Sequence, residues 1–266
     1  MRPATNGNES ETRRQLRRIY TTLLAAFGPQ GWWPARIRLE VILGAILTQN
    51  TAWKNAALAV RRLRQAGMLN HEKLSSASLS KLESLIRPAG FFRQKARTIR
   101  NFLRYLETSH GGSLRAMFST PGEKVRRELL ALKGLGPETA DAILLYAGGK
   151  TFFVADAYSR RVLARHDLWK PTATYSEAQQ VLHEHLPGSH ALFNEFHALL
   201  VEAGKRYCKR EVPRCEACPL EPFLNHRHVA RPDHKGFAFA KPPAVSGVSG
   251  RVGPTLKRME LSHHLG

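Results

Sequence analysis

Cys208, Cys215 and Cys218 are the only cysteines of the 266-residue chain, and their spacing is C-x6-C-x2-C. Thiols grouped this tightly point, in a reducing compartment, to a shared metal before disulfides. Three cysteines with His226 or His228 would suit zinc, and a metal-free loop packed by Pro219, Leu220 and Phe223 is an alternative. His183 and His185, in the HEH run, make no convincing metal pair, because positions i and i+2 diverge on a helix.

A second group of residues could hold an anion. In LKGLGPETAD, residues 132–141, Gly134 and Gly136 flank Leu135 between two helical patterns. Glycines admit a ligand close to the backbone. The amides of the following helix start, around Thr139, point outward at the positive end of the helix dipole, which suits phosphate. Such a grip positions a nucleic acid without reading bases. A glycine-capped turn between core helices fits the spacing equally well. Charge tilts the reading: 41 Lys and Arg against 21 Asp and Glu give a formal +20, which favours nucleic acid first and anionic membrane second. The longest apolar run, LEVILGAILT, is about half the ~20 residues a membrane span needs. The start, MRPATNGNESETRRQ, lacks an apolar signal core, so a cytoplasmic, nucleoid-associated protein is expected.

The elements that must position these residues read as helices almost throughout. Leu39, Ile42, Leu43 and Ile46 recur at helical spacing, as do Ala56, Ala59, Val60 and Leu63. Ile99, Leu103 and Leu106 mark another helix. Val125, Leu129 and Leu132 mark the one entering the glycine turn, and Ala140, Ile143, Leu144 and Ala147 the one leaving it. Ser176 with Gln179 reads as a capping box, and Leu192, Phe196, Leu199 and Ala203 lead to the cysteines. KTFFVADAY is the one β-like run, too isolated for a sheet. Residues 1–12 read as a disordered N-terminus. Residues 227–266 read as a disordered basic tail that is weakly drawn to DNA.

Several ordered motifs then coincide. LKGLGPETADAILLYAGGKTFFVADAYSRRV resembles the helix–hairpin–helix, Gly/Pro-rich loop and aspartate signature of the endonuclease III superfamily of DNA glycosylases. The likeness runs from about Trp32 to Cys218 and includes ILTQNT (46–51), RPAGFFRQKA (87–96) and the cysteine stretch. It implies an all-α, two-lobed helix-hairpin-helix DNA glycosylase fold. Residues 30–150 would form a six-helix barrel lobe. Residues 13–29 with 151–226 would form a second helical lobe carrying the cysteine loop. The partner would be double-stranded DNA containing a damaged base, bound at the cleft between the lobes by a monomer.

The resemblance also assigns roles. It places the family's essential aspartate at Asp156 and its lyase lysine at Glu138. A lysine amine attacks the sugar C1′ and forms a Schiff base, the first step of strand cleavage; a glutamate cannot. Asp156 can still stabilise positive charge on the sugar or orient a water, although by itself it reads as a helix cap before YSRRVL. A monofunctional enzyme is therefore expected, with Lys133 and Lys150 meeting phosphate or solvent. WWP…GAILTQNTAW…GPETADA is most similar to the 3-methyladenine glycosylase branch, which also carries an acid at the lysine position. Alkylated purines are cationic, depart without prior protonation and stack on electron-rich rings. Trp53 and Trp33, with Gln49 and Asn50, are the candidate pocket, and Trp32 is the weaker candidate; core packing is the alternative for each tryptophan. Base extrusion leaves a gap. Gln49 is the candidate plug, and Phe91 either a wedge or a core residue. Arg93 and Lys95 would meet phosphates. The resemblance puts a fourth cluster cysteine where this chain has Leu224, so a 4Fe-4S cofactor, zinc and no metal all remain open. The rival functions are an endonuclease III-type enzyme for oxidised pyrimidines or mismatches and a non-catalytic DNA-binding protein.

Overall fold

The computed structural model describes residues 10–224 apart from Pro34 and Arg36. Helix α1 (Glu11–Phe27) begins where the Ser10 hydroxyl accepts the amide of Arg13, 3.3 Å away. Glu11 and Thr12, assigned by composition to a disordered leader, are therefore helical: a side-chain cap satisfies a first-turn amide that solvent would otherwise hold. Residues 1–9 and the basic tail lie outside the described residues.

Helix α2 (Arg38–Thr48) buries every residue from Leu39 to Leu47. A helix with no polar face must be surrounded, and it forms the axis of the first core. Around it pack α3 (Trp53–Gln65), α4 (His71–Ser76), α5 (Leu79–Ile86), α6 (Phe92–His110) and α7 (Leu114–Ser119). The hairpin helices α8 (Gly122–Leu130) and α9 (Pro137–Ala142) complete the ring, and α9 runs on through a wider helical turn, Ile143–Ala147. Each surrounding helix turns an apolar stripe inward; α6 buries Ile99, Phe102, Leu103 and Leu106.

A second core joins α1 to α10 (Ala157–Ala164), α11 (Tyr175–His185) and α12 (His190–Arg206) through Leu16, Ile19, Leu23, Phe153, Phe193 and Phe196. Among the described residues there is no β-strand; the β-like run of residues 151–156 is extended, single and buried from Phe152 to Ala155. The capping box of α11 is Thr174 with Glu177, not Ser176 with Gln179. Gln179 is instead buried, donating to the carboxylate of Asp141 (2.8 Å) and the carbonyl of Phe153 (2.6 Å).

Two connections hold the cores together. Ala142 and Tyr146 pack against both. Asp141, wholly buried, accepts Arg126 of α8 at 2.6 and 3.1 Å, the Tyr175 hydroxyl at 2.8 Å and Gln179. Removing one partner of such a network strands the others in low dielectric. Asp141→Ala is therefore expected to lower stability by about 3–5 kcal/mol, read as a shifted urea midpoint; a shift near zero would show that the network does not tie the lobes.

Candidate active site

Three turns lie side by side on one face of the first core. The Gln49 carboxamide donates to the Gly134 carbonyl at 3.0 Å and to the Thr139 hydroxyl at 2.8 Å. The Thr51 hydroxyl donates to the Ala89 carbonyl at 2.8 Å. Turns 49–51, 87–91 and 131–136 are thus locked together. Gly134 cannot be replaced cheaply: its φ is +100°, and a Cβ there would stand 2.1 Å from Thr98 Oγ1 on α6. Beside Gly136 a Cβ would meet nothing within 4 Å, so that side of the backbone is open to a ligand. Leu135 is buried between the two glycines and anchors the turn to the core.

At the rim, Asn50 is exposed with φ +50°, and Phe91 is 68% exposed with φ +44°. Phe91 is therefore not a core residue. Arg93 is exposed next to it. One expected contact is corrected. Lys95 does not reach out to phosphate: it is buried, and its ammonium donates to the carbonyls of Leu47 (2.9 Å) and Ala89 (2.7 Å), with burial pushing it down to about 8. The Thr139 side chain is also buried, occupied by Gln49, which leaves only its backbone for an anion.

Between the cores sits a second set of groups. Asp156 is the N-cap of α10, its Oδ1 accepting the Ser159 amide at 2.7 Å. Capping uses one oxygen and leaves the other, so the helix-cap role and a chemical role are compatible. Oδ2 lies 3.7 Å from His197 Nε2, within ion-pair reach but beyond a hydrogen bond. Burial alone would raise the Asp156 carboxyl; His197, and then the Ser159 amide, outweigh it and hold the group below its ordinary range. Glu138, in the first turn of α9, is pushed up to about 7, first by the protein crowded around it and then by the charge of Asp156. Its side chain is nevertheless exposed at one edge of the site.

The aromatic groups converge beside this pair. Trp33 and Trp53 meet edge to face at 5.0 Å, Trp33 lies 5.2 Å from Tyr146, and Trp32 stacks on Trp33 and on His197 at 5.7 Å each. Trp32, the weaker candidate from sequence, is in fact a central member of the cluster, and Lys205 Nζ lies 5.4 Å over its ring. Gly44 of α2 lets Trp33 approach: a Cβ there would be 2.9 Å from its indole. Tyr146 and His197, whose side chains are hydrogen bonded to each other, were not singled out from sequence. The signal available for His197 is a titratable residue on the buried stripe of α12 with Phe193 and Leu200.

The three cysteines line one small pocket together with Leu220 and Leu224. The Cys208 thiol accepts Arg165 at 3.0 Å. Burial pushes the Cys218 thiol up to about 11 and raises Cys215 as well. Three thiols face one space that His166, Glu221, Leu220 and Leu224 also line, and among the described residues no group of three or more His, Cys, Asp or Glu has the geometry of a metal site. The residues present therefore do not complete a four-thiolate set. His226 and His228 lie outside the described residues. His183 is committed elsewhere, accepting the Phe153 amide at 2.9 Å.

Comparison with known proteins agrees with this geometry. The family model described as HhH-GPD superfamily base excision DNA repair protein matches residues 43–187. A putative DNA repair glycosylase of Methanocaldococcus jannaschii is 39% identical over 208 residues, covering 77% of this chain and 94% of that protein. Among solved structures, a trapped endonuclease III–DNA covalent intermediate superposes with a TM-score of 0.70 at 22% identity, covering 81% of this chain and 97% of that one. The 3-methyladenine DNA glycosylase of H. pylori bound to 1,N6-ethenoadenine has a TM-score of 0.64 at 26% identity, covering 74% and 98%.

Arg93 and Lys95 separate surface charge from scaffold charge. Arg93→Ala is expected to reduce the slope of log affinity for DNA against log salt by about 1. Lys95→Met is expected to leave that slope unchanged while lowering the melting temperature. A reduced slope for Lys95→Met would return that residue to the DNA surface.

Proposed function

The chain belongs to the HhH-GPD superfamily of base excision DNA repair proteins, as an endonuclease III-like DNA glycosylase, and from that membership we propose that it hydrolyses the N-glycosidic bond of an alkylated purine and leaves the DNA strand intact. The observation that carries this reading is Glu138 in place of an amine, beside Asp156 and an indole cluster. Without an amine no Schiff base forms at C1′. Indole faces suit a flat cationic base, and such a base needs no acid to depart. The H. pylori neighbour, a 3-methyladenine glycosylase by description, supports the same substrate class.

The steps follow from where the groups stand. The hairpin amides hold a phosphate on the strand, with the open side of Gly136 allowing close approach. Phe91 and the Gln49–Asn50 turn fill the space left by an extruded base. Trp32, Trp33 and Trp53 hold that base. As its bond to C1′ breaks, the sugar becomes cationic and Asp156, held ionised, stabilises it. Two carboxylates whose proton affinities are pushed apart divide the labour: Glu138, with the higher affinity and solvent access, takes the proton of the attacking water. A cysteine-bound cluster, where present, would stabilise the loop and takes no part in these steps.

The test is a panel of duplexes, each holding one alkylated purine, oxidised pyrimidine or G·T mismatch, scored for base release with and without alkali. Release of alkylpurine, strand breaks only after alkali and no borohydride-trapped adduct are expected. Asp156→Asn should slow release by about 100-fold or more with DNA affinity intact. Preferential release of an oxidised pyrimidine, or a trapped adduct, would overturn the proposal.

The pH profile tests Glu138 separately. A base must be ionised, and Glu138 becomes protonated as pH falls through about 7, so the rate is expected to decline below that point. Glu138→Gln should be slower and lose this inflection; an unchanged profile would remove Glu138 from the water step.

A further inference from the structure

We propose that His197 is a positioning residue for base release: it orients the second oxygen of Asp156 and keeps that carboxylate charged, while Tyr146 fixes which ring nitrogen faces it. This inference rests on the proposed role of Asp156 and extends it to groups that touch neither base nor sugar.

The ring of His197 is 5% exposed, and its Nε2 has no hydrogen-bond partner. A buried donor left unsatisfied is costly, so the direction in which it points calls for an account. Asp156 Oδ2 lies 3.7 Å from it. The other ring nitrogen, Nδ1, is engaged by the Tyr146 hydroxyl. Tyr146 keeps its proton, because burial first, and then the charges of Asp156 and Glu195, raise its phenol well above the usual range. Donation from it to Nδ1 would place the N–H of the neutral ring on Nε2, toward the carboxylate. The ring cannot turn away easily: Trp32 stacks on one face at 5.7 Å and 24°, and Phe153 meets it edge-on at 6.2 Å and 85°.

The remaining charged groups do not replace this contact. Glu138 on α9 carries the same sign as Asp156, and Arg160 on α10 acts on Glu138. Glu195 on α12 accepts the Gln30 amide at 2.6 Å, and Lys205 lies over Trp32. One oxygen of Asp156 is fixed by the first turn of α10 and the other by His197. Catalytic contacts of this kind tighten in the reactive complex. Without the imidazole, burial would act on the carboxyl largely unopposed, and Asp156 would take up a proton at higher pH.

His197→Phe keeps a flat ring between Trp32 and Phe153 and removes both nitrogens, whereas His197→Gln returns a donor. The first readout uses DNA-free protein: 13C NMR of the Asp156 carboxyl across pH. It is expected to titrate at higher pH in His197→Phe than in the wild type, with His197→Gln between. The second is single-turnover base release in a Glu138→Gln background, where the remaining acid limb belongs to Asp156. That limb should move up in His197→Phe, the rate below it falling about tenfold per unit moved and recovering above it. The same Asp156 titration in all three proteins, or a uniform loss at every pH, would overturn the proposal. If His197→Phe does not fold by circular dichroism, Tyr146→Phe serves instead: it releases Nδ1, and a shift in the same direction supports the proposal while none overturns it. Should the wild type release no alkylated base, the functional reading fails, but the NMR titration still decides the role of His197.

Discussion

A carboxylate that must stay charged where water is scarce is the constraint on which the rest of the structure turns. Asp156 sits at the junction of two apolar cores, where burial alone would raise its proton affinity. Three features oppose that tendency. The first turn of α10 supplies an amide and the positive end of a helix dipole. His197 faces the second oxygen. Glu138, the nearby group of like charge, is displaced toward neutrality, which lessens the repulsion. The junction of the lobes is therefore an electrostatic arrangement as well as a seam, and Tyr146, shared by both cores, also holds the imidazole.

Hydrophobic period alone places α2, α3, α6 and α12, whereas the glycine pair by itself reads equally well as a capped turn, and Asp156 and Glu138 were legible only through the family resemblance. What escaped is instructive. Lys95 was grouped with Arg93 by proximity, yet Lys95, Ile99, Phe102 and Leu106 form one helical stripe. A lysine on such a stripe must end inside, where it finds carbonyls in place of water. His197 follows the same rule on α12. TATYSEAQQ offers two overlapping capping patterns, Thr174 with Glu177 and Ser176 with Gln179. The choice is settled by Asp141, thirty-odd positions upstream, which draws Gln179 inward. No local motif could contain that information.

The cysteine loop shows how a missing ligand can be tolerated. Arg161 donates to the Cys208 carbonyl at 2.7 Å, and Arg165 to the carbonyls of Lys209 (2.7 Å) and Arg210 (3.2 Å) as well as to the Cys208 thiol. Leu220 is buried in the second core. Two guanidinium groups and one aliphatic side chain thus fix the loop from the protein side. Those anchors attach the loop without drawing on a bond between its thiols.

The same logic explains a buried lysine beneath the DNA-facing rim. Asn50 and Phe91 both adopt left-handed backbone conformations that cost free energy for any residue other than glycine, of order 1–3 kcal/mol each. Such conformations persist only where surrounding contacts over-determine them. Lys95 supplies such contacts, because its ammonium joins the carbonyl of Leu47, two residues before Gln49, to that of Ala89, two before Phe91. Thr51 bonds the same Ala89 carbonyl from the other turn. Desolvating a cation is costly, but two carbonyl acceptors offset much of it, and the pair of tips is thereby held rigid in the absence of DNA. A rim that is already in shape need not be ordered when a ligand binds.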